Sequence, residues 1–479
     1  MNSIAEAIAW AMQEVDITRP TNLRVRDLAL EVAGEADRDD PGWINRARAL
    51  AVELQHGGVV SMPLLDAGWE TLVRGSQKLI RRPASVTDDF DFATEVAITA
   101  LNLPVRDANR GASRQRRVLA AELLVATVAH AKAVTPQVDA VIRKASTDPD
   151  EAVRAAVLGG IGWAAAFAPD LAWDVIEKAS LEEDSAPGQA NTAFALERMA
   201  QFDLGRSCSI ALAASQRIAE RQIKDGAQSV WIRLLLRLYL TTSRQDVRLA
   251  LINFTAQTDD FHSLAGSSRA YIAMGNPGSA TAYEEQARRN VHDLLHDLWK
   301  DAASELDLLI QTQESGATLT DADGDRGRAA GDRMLSIVRE LYFGSGLEAA
   351  RTVPGDVTKL SRFYVEYSDL LSLASQSVYP AMSYQLLEIL EPLTEFDPEG
   401  VFLLAARSVA SAERGGIQVE QMALEVIVRM VERCLGEYAG RVQQSAEWLR
   451  ALRETVETFA RAGWPRAFQL AYRLHEVLV

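Results

Sequence analysis

The sequence predicts an all-α chain of stacked antiparallel helix pairs, an irregular α-solenoid. Apolar residues recur at helical spacing from end to end. Alanine, leucine, glutamate and arginine, all strong helix formers, dominate the chain. Period-two alternation bounded by turn residues hardly occurs, so strands are not expected. At 479 residues, the chain exceeds the size at which one hydrophobic core stops growing. That leaves separate domains, or a solenoid whose units pack on their neighbours.

The elements follow in order. After Asp150, residues Val153, Ala156, Val157 and Ile161 fall on one helical face. After Pro380, Met382, Leu386, Leu390 and Leu393 do the same. In the last segment Ala467, Leu470, Ala471, Leu474 and Leu478 line up behind Pro465. That proline suits a first helical turn, where its missing N–H has no intrahelical role. Short breaks at Asp37–Pro41, Thr147–Pro149, Ala168–Asp170 and Phe396–Pro398 read as turns into fresh helices. Two breaks are longer. One runs from Thr255 to Ala282 and includes Gly275 to Gly278. The other, Gln311 to Arg333, is rich in Gly, Asp and Thr. The second predicts an exposed, mobile connection between a helical-repeat lobe at 1–310 and a helical lobe at 334–479.

Hydrophobic residues make up 48% and charged residues 24%, the balance of a folded protein. A net charge of −16 favours solubility and disfavours non-specific binding to nucleic acid or anionic lipid. Cys208 and Cys434 are far apart, which excludes a disulfide framework and a cysteine-rich zinc site. The start, MNSIAEAIAWAMQEVD, is acidic and lacks a signal peptide's basic opening. No run reaches the roughly 18 apolar residues of a membrane span. A cytoplasmic protein without membrane contact is expected.

The stretch Asp148-Pro-Asp-Glu-Ala-Val-Arg-Ala-Ala-Val157 resembles the start of the second helix of a HEAT repeat. In that family small residues let paired helices approach closely. Asp246-Val-Arg-Leu-Ala-Leu251 is similar, and Arg117-Val-Leu-Ala-Ala121 is a third, poorer match. Arg154 and Arg248 stand 94 positions apart, a distance that suits two units of about 47 residues. In the C-terminal part, Glu391-Pro-Leu, Phe396-Asp-Pro-Glu-Gly-Val-Phe402 and Ala462-Gly-Trp-Pro465 resemble helical regions of large bacterial NTPase-linked proteins of the anti-phage defence type. That resemblance implies a recognition or adaptor subunit of a larger assembly. The chain departs from such proteins in carrying no NTPase domain.

Motifs for chemistry are few. No G-x-x-x-x-G-K-[ST] loop and no G-x-S-x-G elbow occurs. His292-Asp-Leu-Leu-His296 places two histidines four apart, a spacing that can chelate zinc. The glutamate that a metalloprotease needs after the first histidine is Asp293 here, and no third ligand is identifiable. Asp321-Ala-Asp-Gly-Asp325 fails the calcium-loop pattern, because its sixth and twelfth places hold Arg326 and Asp332. Arg106-Asp-Ala-Asn-Arg-Gly-Ala-Ser-Arg-Gln-Arg-Arg117 crowds five arginines into an acidic chain. Arg74, Lys78, Arg81 and Arg82 precede it. Arginine forks suit carboxylate or phosphate partners. The competing reading pairs these arginines with the acids at Asp88–Asp91. Trp43, Trp69, Trp163, Trp173 and Trp231 are expected in the core between helix pairs.

These observations predict a non-catalytic helical-repeat scaffold that binds another macromolecule and needs no cofactor. The expected partner is a protein, either an effector enzyme or a foreign protein. The expected contact surface is Arg106, Arg110, Arg114, Arg116 and Arg117. One alternative is a metal-dependent hydrolase centred on His292 and His296. Another is a polyanion or nucleic-acid module using Arg106–Arg117, weakened by the lack of interleaved aromatics.

Overall fold

The computed structural model describes residues 19–478 apart from 36–41, 56–59, 83–84, 106–109, 222–225, 273–278, 317, 347–356, 415–420 and 462–464. Among the described residues there are 22 α-helices and no strand. The chain divides into two compact units: Met1–Leu235 with Ala250–Thr258, and Leu236–Leu249 with Asp259–Val479.

The first unit opens with α1 (Pro20–Glu35), α2 (Trp43–Gln55), α3 (Met62–Ile80) and α4 (Thr87–Asn102). It continues with α5 (Arg110–Ala131), α6 (Pro136–Ala145), α7 (Glu151–Ala164), α8 (Pro169–Glu182), α9 (Ala186–Met199) and α10 (Leu204–Arg221). The sequence cuts these helices by capping. Thr135, Asp150 and Ser185 stand before α6, α7 and α9, and their side chains accept the backbone N–H of Val138, Ala152 and Gly188. Pro136 and Pro169 hold the first helical positions. From α3 to α10 the helices form two layers. Odd-numbered helices α3, α5, α7 and α9 pack successively in one layer, and α4, α6, α8 and α10 in the other. Each helix also packs on the next in sequence, the stacked-pair arrangement of a solenoid.

Helices α11 (Ala227–Thr242) and α12 (Gln245–Thr258) follow. The second unit then holds α13 (Phe261–Ile272), α14 (Ala282–Glu314), α15 (Asp321–Gly344), α16 (Val357–Ser375) and α17 (Ser383–Leu393). It ends with α18 (Pro398–Arg414), α19 (Gln421–Gly436), α20 (Ala439–Gln444), α21 (Ala446–Arg461) and α22 (Pro465–Leu478). Helices α14 and α15 form a long hairpin against which α13 packs. Met382, Leu386, Leu390 and Leu393 are buried, as are Leu470 and Leu474. Each such side chain contributes roughly 1.5–3 kcal/mol of burial. Cys208 and Cys434 are free and buried, and burial pushes the Cys434 thiol up to about 12.

Four expectations are corrected. Residues 311–333 are largely helical, lie inside the second unit, and belong to α14 and α15. The Thr320 hydroxyl accepts from the Asp323 N–H at 3.2 Å, and the Asp323 carboxylate accepts from the Thr320 N–H at 2.8 Å. The Asp-rich segment is therefore a capping box that starts a helix, and Asp323 and Asp325 pair with Arg326 and Arg328. Gly327 and Gly331 are packing positions: a Cβ on Gly331 would lie 2.5 Å from the Tyr379 ring. Secondly, the break from Thr255 to Ala282 contains α13; Gly275–Gly278 and Asp37–Pro41 lie outside the described residues. Thirdly, Arg154 sits on α7 and Arg248 on α12. An offset of five helices is not a whole number of pairs, so the 94-residue spacing is no repeat period. Fourthly, Trp43, Trp69, Trp173 and Trp231 are buried, but Trp163 is 63% exposed.

Candidate functional site

The arginine run builds a helix joint. Arg106 lies outside the described residues, and Arg110 opens α5. Arg116 is fully enclosed. Its Nε donates to the Ala100 carbonyl at 3.1 Å and its Nη2 to the Leu103 carbonyl at 3.1 Å. Its Nη1 pairs with Asp66, which also accepts from the Ser113 hydroxyl at 2.9 Å. Arg117 donates to the Leu101 carbonyl at 3.4 Å and pairs with Asp148. The last carbonyls of α4 have no intrahelical donor, so the two guanidinium groups cap that helix end and complement its dipole. Burial lowers the Arg116 pKa and Asp66 opposes it; the group stays charged. Arg116 and Arg117 therefore do not form a contact surface. Arg114 remains half-exposed, 3.1 Å from Asp150 and 3.5 Å from Glu151. The acids used are Asp66, Asp148, Asp150 and Glu151, not Asp88–Asp91.

The histidine pair faces α16. His292 Nε2 lies 2.9 Å from Asp369 Oδ1, and its Nδ1 3.2 Å from Asp293 Oδ1. His296 Nε2 lies 3.8 Å from Asp369 Oδ2. The rings are stacked, with centroids 5.9 Å apart and planes at 19°. Both Nε2 atoms face the one Asp369 carboxylate, and no group of three His, Cys, Asp or Glu among the described residues could hold a metal ion. Among those residues no helix is long and apolar enough to cross a membrane.

A different feature is open. A groove of about 1150 Å³ lies on the odd-numbered layer of the first unit, lined by α3, α5, α7 and α9. Its floor is short of side chains, with Ala126 and Ala129 from α5 and Ala155, Ala156 and Gly159 from α7. The neighbouring glycines explain why. A Cβ on Gly160 would lie 2.9 Å from Val125, and one on Gly162 3.2 Å from the Ala195 backbone. Small residues there draw α7 onto α5 and α9, whereas Gly159 has just the Asn191 amide within van der Waals distance. At one end stand Trp163 and Phe167, 63% and 39% exposed. The Arg198 guanidinium lies 4.1 Å over the indole. Asn191 donates to the Ala155 carbonyl at 2.8 Å. Arg81, Arg114, Glu122 and Glu151 supply the charges. Crowding raises the Glu122 carboxyl above its ordinary value, with Gln77, Arg74 and Arg81 opposing.

Sequence reasoning missed the groove because it read small residues as helix contacts and Trp163 as core. The available signal was that Ala155, Ala156, Gly159, Gly160 and Gly162 spread over about half of the α7 circumference, wider than one helix contact needs.

No family model and no curated protein matches the chain. Among solved structures that do match is "Homology model of the full-length AP-3 complex in an intermediate open conformation". It is 12% identical, covers 96% of this chain and 93% of its own, and has a TM-score of 0.33. A likeness of that size carries no argument about fold or function.

Proposed function

We propose that the chain is a non-catalytic scaffold whose first unit holds a segment of another protein in the groove over α5 and α7. The observation that carries this reading is Trp163. A large aromatic, 63% exposed beside a small-residue floor, is the kind of anchor that dominates protein contacts. Solenoids use such faces for recognition. The resemblance of the C-terminal phrases adds a setting, an adaptor or recognition subunit of a bacterial defence assembly whose partner is an effector enzyme or a foreign protein. The polyanion alternative loses Arg116 and Arg117 to internal bonds. The hydrolase alternative finds no group of three ligands at His292 and His296 among the described residues, and their Nε2 atoms face Asp369.

The test is a photo-cross-linking amino acid at position 163, with a control at Leu181, which is exposed on α8 in the other layer. The expected result is a protein adduct at 163 that disappears in an Ala156→Trp background, and none at 181. Equal adducts at both positions, or adducts indifferent to Ala156→Trp, contradict the reading.

A further inference from the structure

The groove also restricts the shape and charge of its occupant. Its floor and walls are helices, whose backbone N–H and C=O groups are consumed within each helix. An extended segment laid there would bury its own backbone groups without partners, at a cost of roughly 1–3 kcal/mol each. The Asn191 amide donor is already bonded to Ala155. A helical segment brings its backbone bonds with it, and its side chains fill the space that Ala156 and Gly159 leave.

Charge supplies the second restriction. Arg81, on the α3 side of the floor, is exposed and forms no close ion pair among the described residues, although Glu122 feels its charge. On the other side, Phe194 and Arg198 stand four apart on α9 and share a face. Arg198 covers Trp163, and Arg233 of α11 lies 4.9 Å over the Phe194 ring. Neither Arg198 nor Arg233 forms a close ion pair among the described residues; Arg198 donates to the Gly159 carbonyl at 3.3 Å and has Glu197 beside it in sequence. Arg114, in the same groove, is paired with Asp150 and Glu151, and elsewhere in the first unit arginines 116, 117, 143, 154, 206 and 217 are each paired with an acid. The cations left over on this face flank a neutral floor.

Resting on the reading of the groove as a protein-binding site, we propose that its occupant is an acidic amphipathic α-helix. The apolar stripe of that helix lies on the Ala156–Gly159 floor. Its flanking carboxylates meet Arg81 on one side and Arg198 and Arg233 on the other. Nucleic acid fits less well, because its charge runs along the whole backbone and would pass over Glu122 and Glu151, whereas a helix keeps its carboxylates on the flanks.

The experiment uses the full chain and labelled peptides of about 18 residues, about 27 Å long as a helix. The first has leucines at three- and four-residue spacing and glutamates on both flanks. The second has the same composition with two internal prolines. The third has lysine for glutamate. A single-stranded DNA oligomer is the fourth probe. The first peptide should bind, gain helicity on binding, and weaken about tenfold or more with Arg81→Glu/Arg233→Glu, a loss of about 1.4 kcal/mol or more. Melting temperatures of the variants verify folding, since both side chains are exposed. Equal binding of the proline peptide, preference for the lysine peptide, displacement by DNA, or no binding by any peptide overturns the proposal. If the adduct at position 163 persists in any of those cases, the groove reading stands and the acidic-helix assignment alone falls.

Discussion

Arg116 on α5 and His292 on α14 both turn inward between helices and both meet an aspartate from a distant part of the chain. Arg116 is sealed: Asp66 and two carbonyls hold it, and no solvent reaches it. His292 is 22% exposed at its side chain and shares half-exposed Asp369 with His296. The first is a structural joint with no donor to offer a partner. The second keeps a titration that solvent can reach. What separates them is enclosure, which neither residue type nor local sequence encodes.

The largest effect should come from breaking the sealed joint. Asp66→Ala leaves Arg116 buried without its counter-charge and should cost about 3–5 kcal/mol, measured by urea unfolding. An Asp66→Leu/Arg116→Met pair should regain part of that loss, because it removes the uncompensated charge. A loss below about 1 kcal/mol for Asp66→Ala would mean that water reaches Arg116, and the contrast with His292 would collapse.

The histidine seam should respond to pH. Burial alone lowers the His292 pKa, but hydrogen bonds with Asp369 and Asp293 outweigh it and hold the imidazole above its ordinary value. A base raised on folding adds stability below its unfolded value of about 6.5, and that stability is lost as pH rises through the folded value. Burial raises Asp369, yet its bond to His292 brings it below its ordinary value. Its share is present above about 3.9 and lost as pH falls. The stability gap between wild type and His292→Gln should therefore be widest between about pH 4 and 6.5 and should close toward pH 8. Its size should be about 1 kcal/mol or less, given the exposure of Asp369. A gap that does not change with pH would show that the ring acts by packing on Tyr367, whose centroid is 5.5 Å away.

The smallest effect belongs to Arg114, whose pairs with Asp150 and Glu151 are exposed. Arg114→Ser should change stability by about 0.5 kcal/mol or less. A larger loss would join Arg114 to the sealed joint with Arg116 and Arg117.

Much of the fold was legible because its causes are local. The spacing of Leu386, Leu390 and Leu393, the Asp150 cap and the first-turn Pro169 each act within a turn or two of helix. The segment 311–333 was misread because aspartate and glycine favour loops on average. Here Asp323 caps α15 and Gly331 admits Tyr379. The site was less legible because its causes are remote. Asp66 lies 50 positions from Arg116, and Asp369 lies 77 from His292. The groove is defined by missing side chains at Ala155, Ala156 and Gly159, which look the same in sequence whether a neighbouring helix covers them or not.

The central claim is that the groove over α5 and α7 binds a protein while the arginine run and the histidine pair serve the fold. Affinity for the protein cross-linked at position 163 tests it most directly, measured for wild type, Ala129→Trp/Ala156→Trp and Leu181→Ser, the last on the opposite layer. Both tryptophans enter the open groove, not the core, so the melting temperature should hardly change. The groove-filled variant should bind about tenfold more weakly or worse, about 1.4 kcal/mol, with Leu181→Ser near wild type. Wild-type affinity in the filled variant, or an equal loss in Leu181→Ser, would contradict the account.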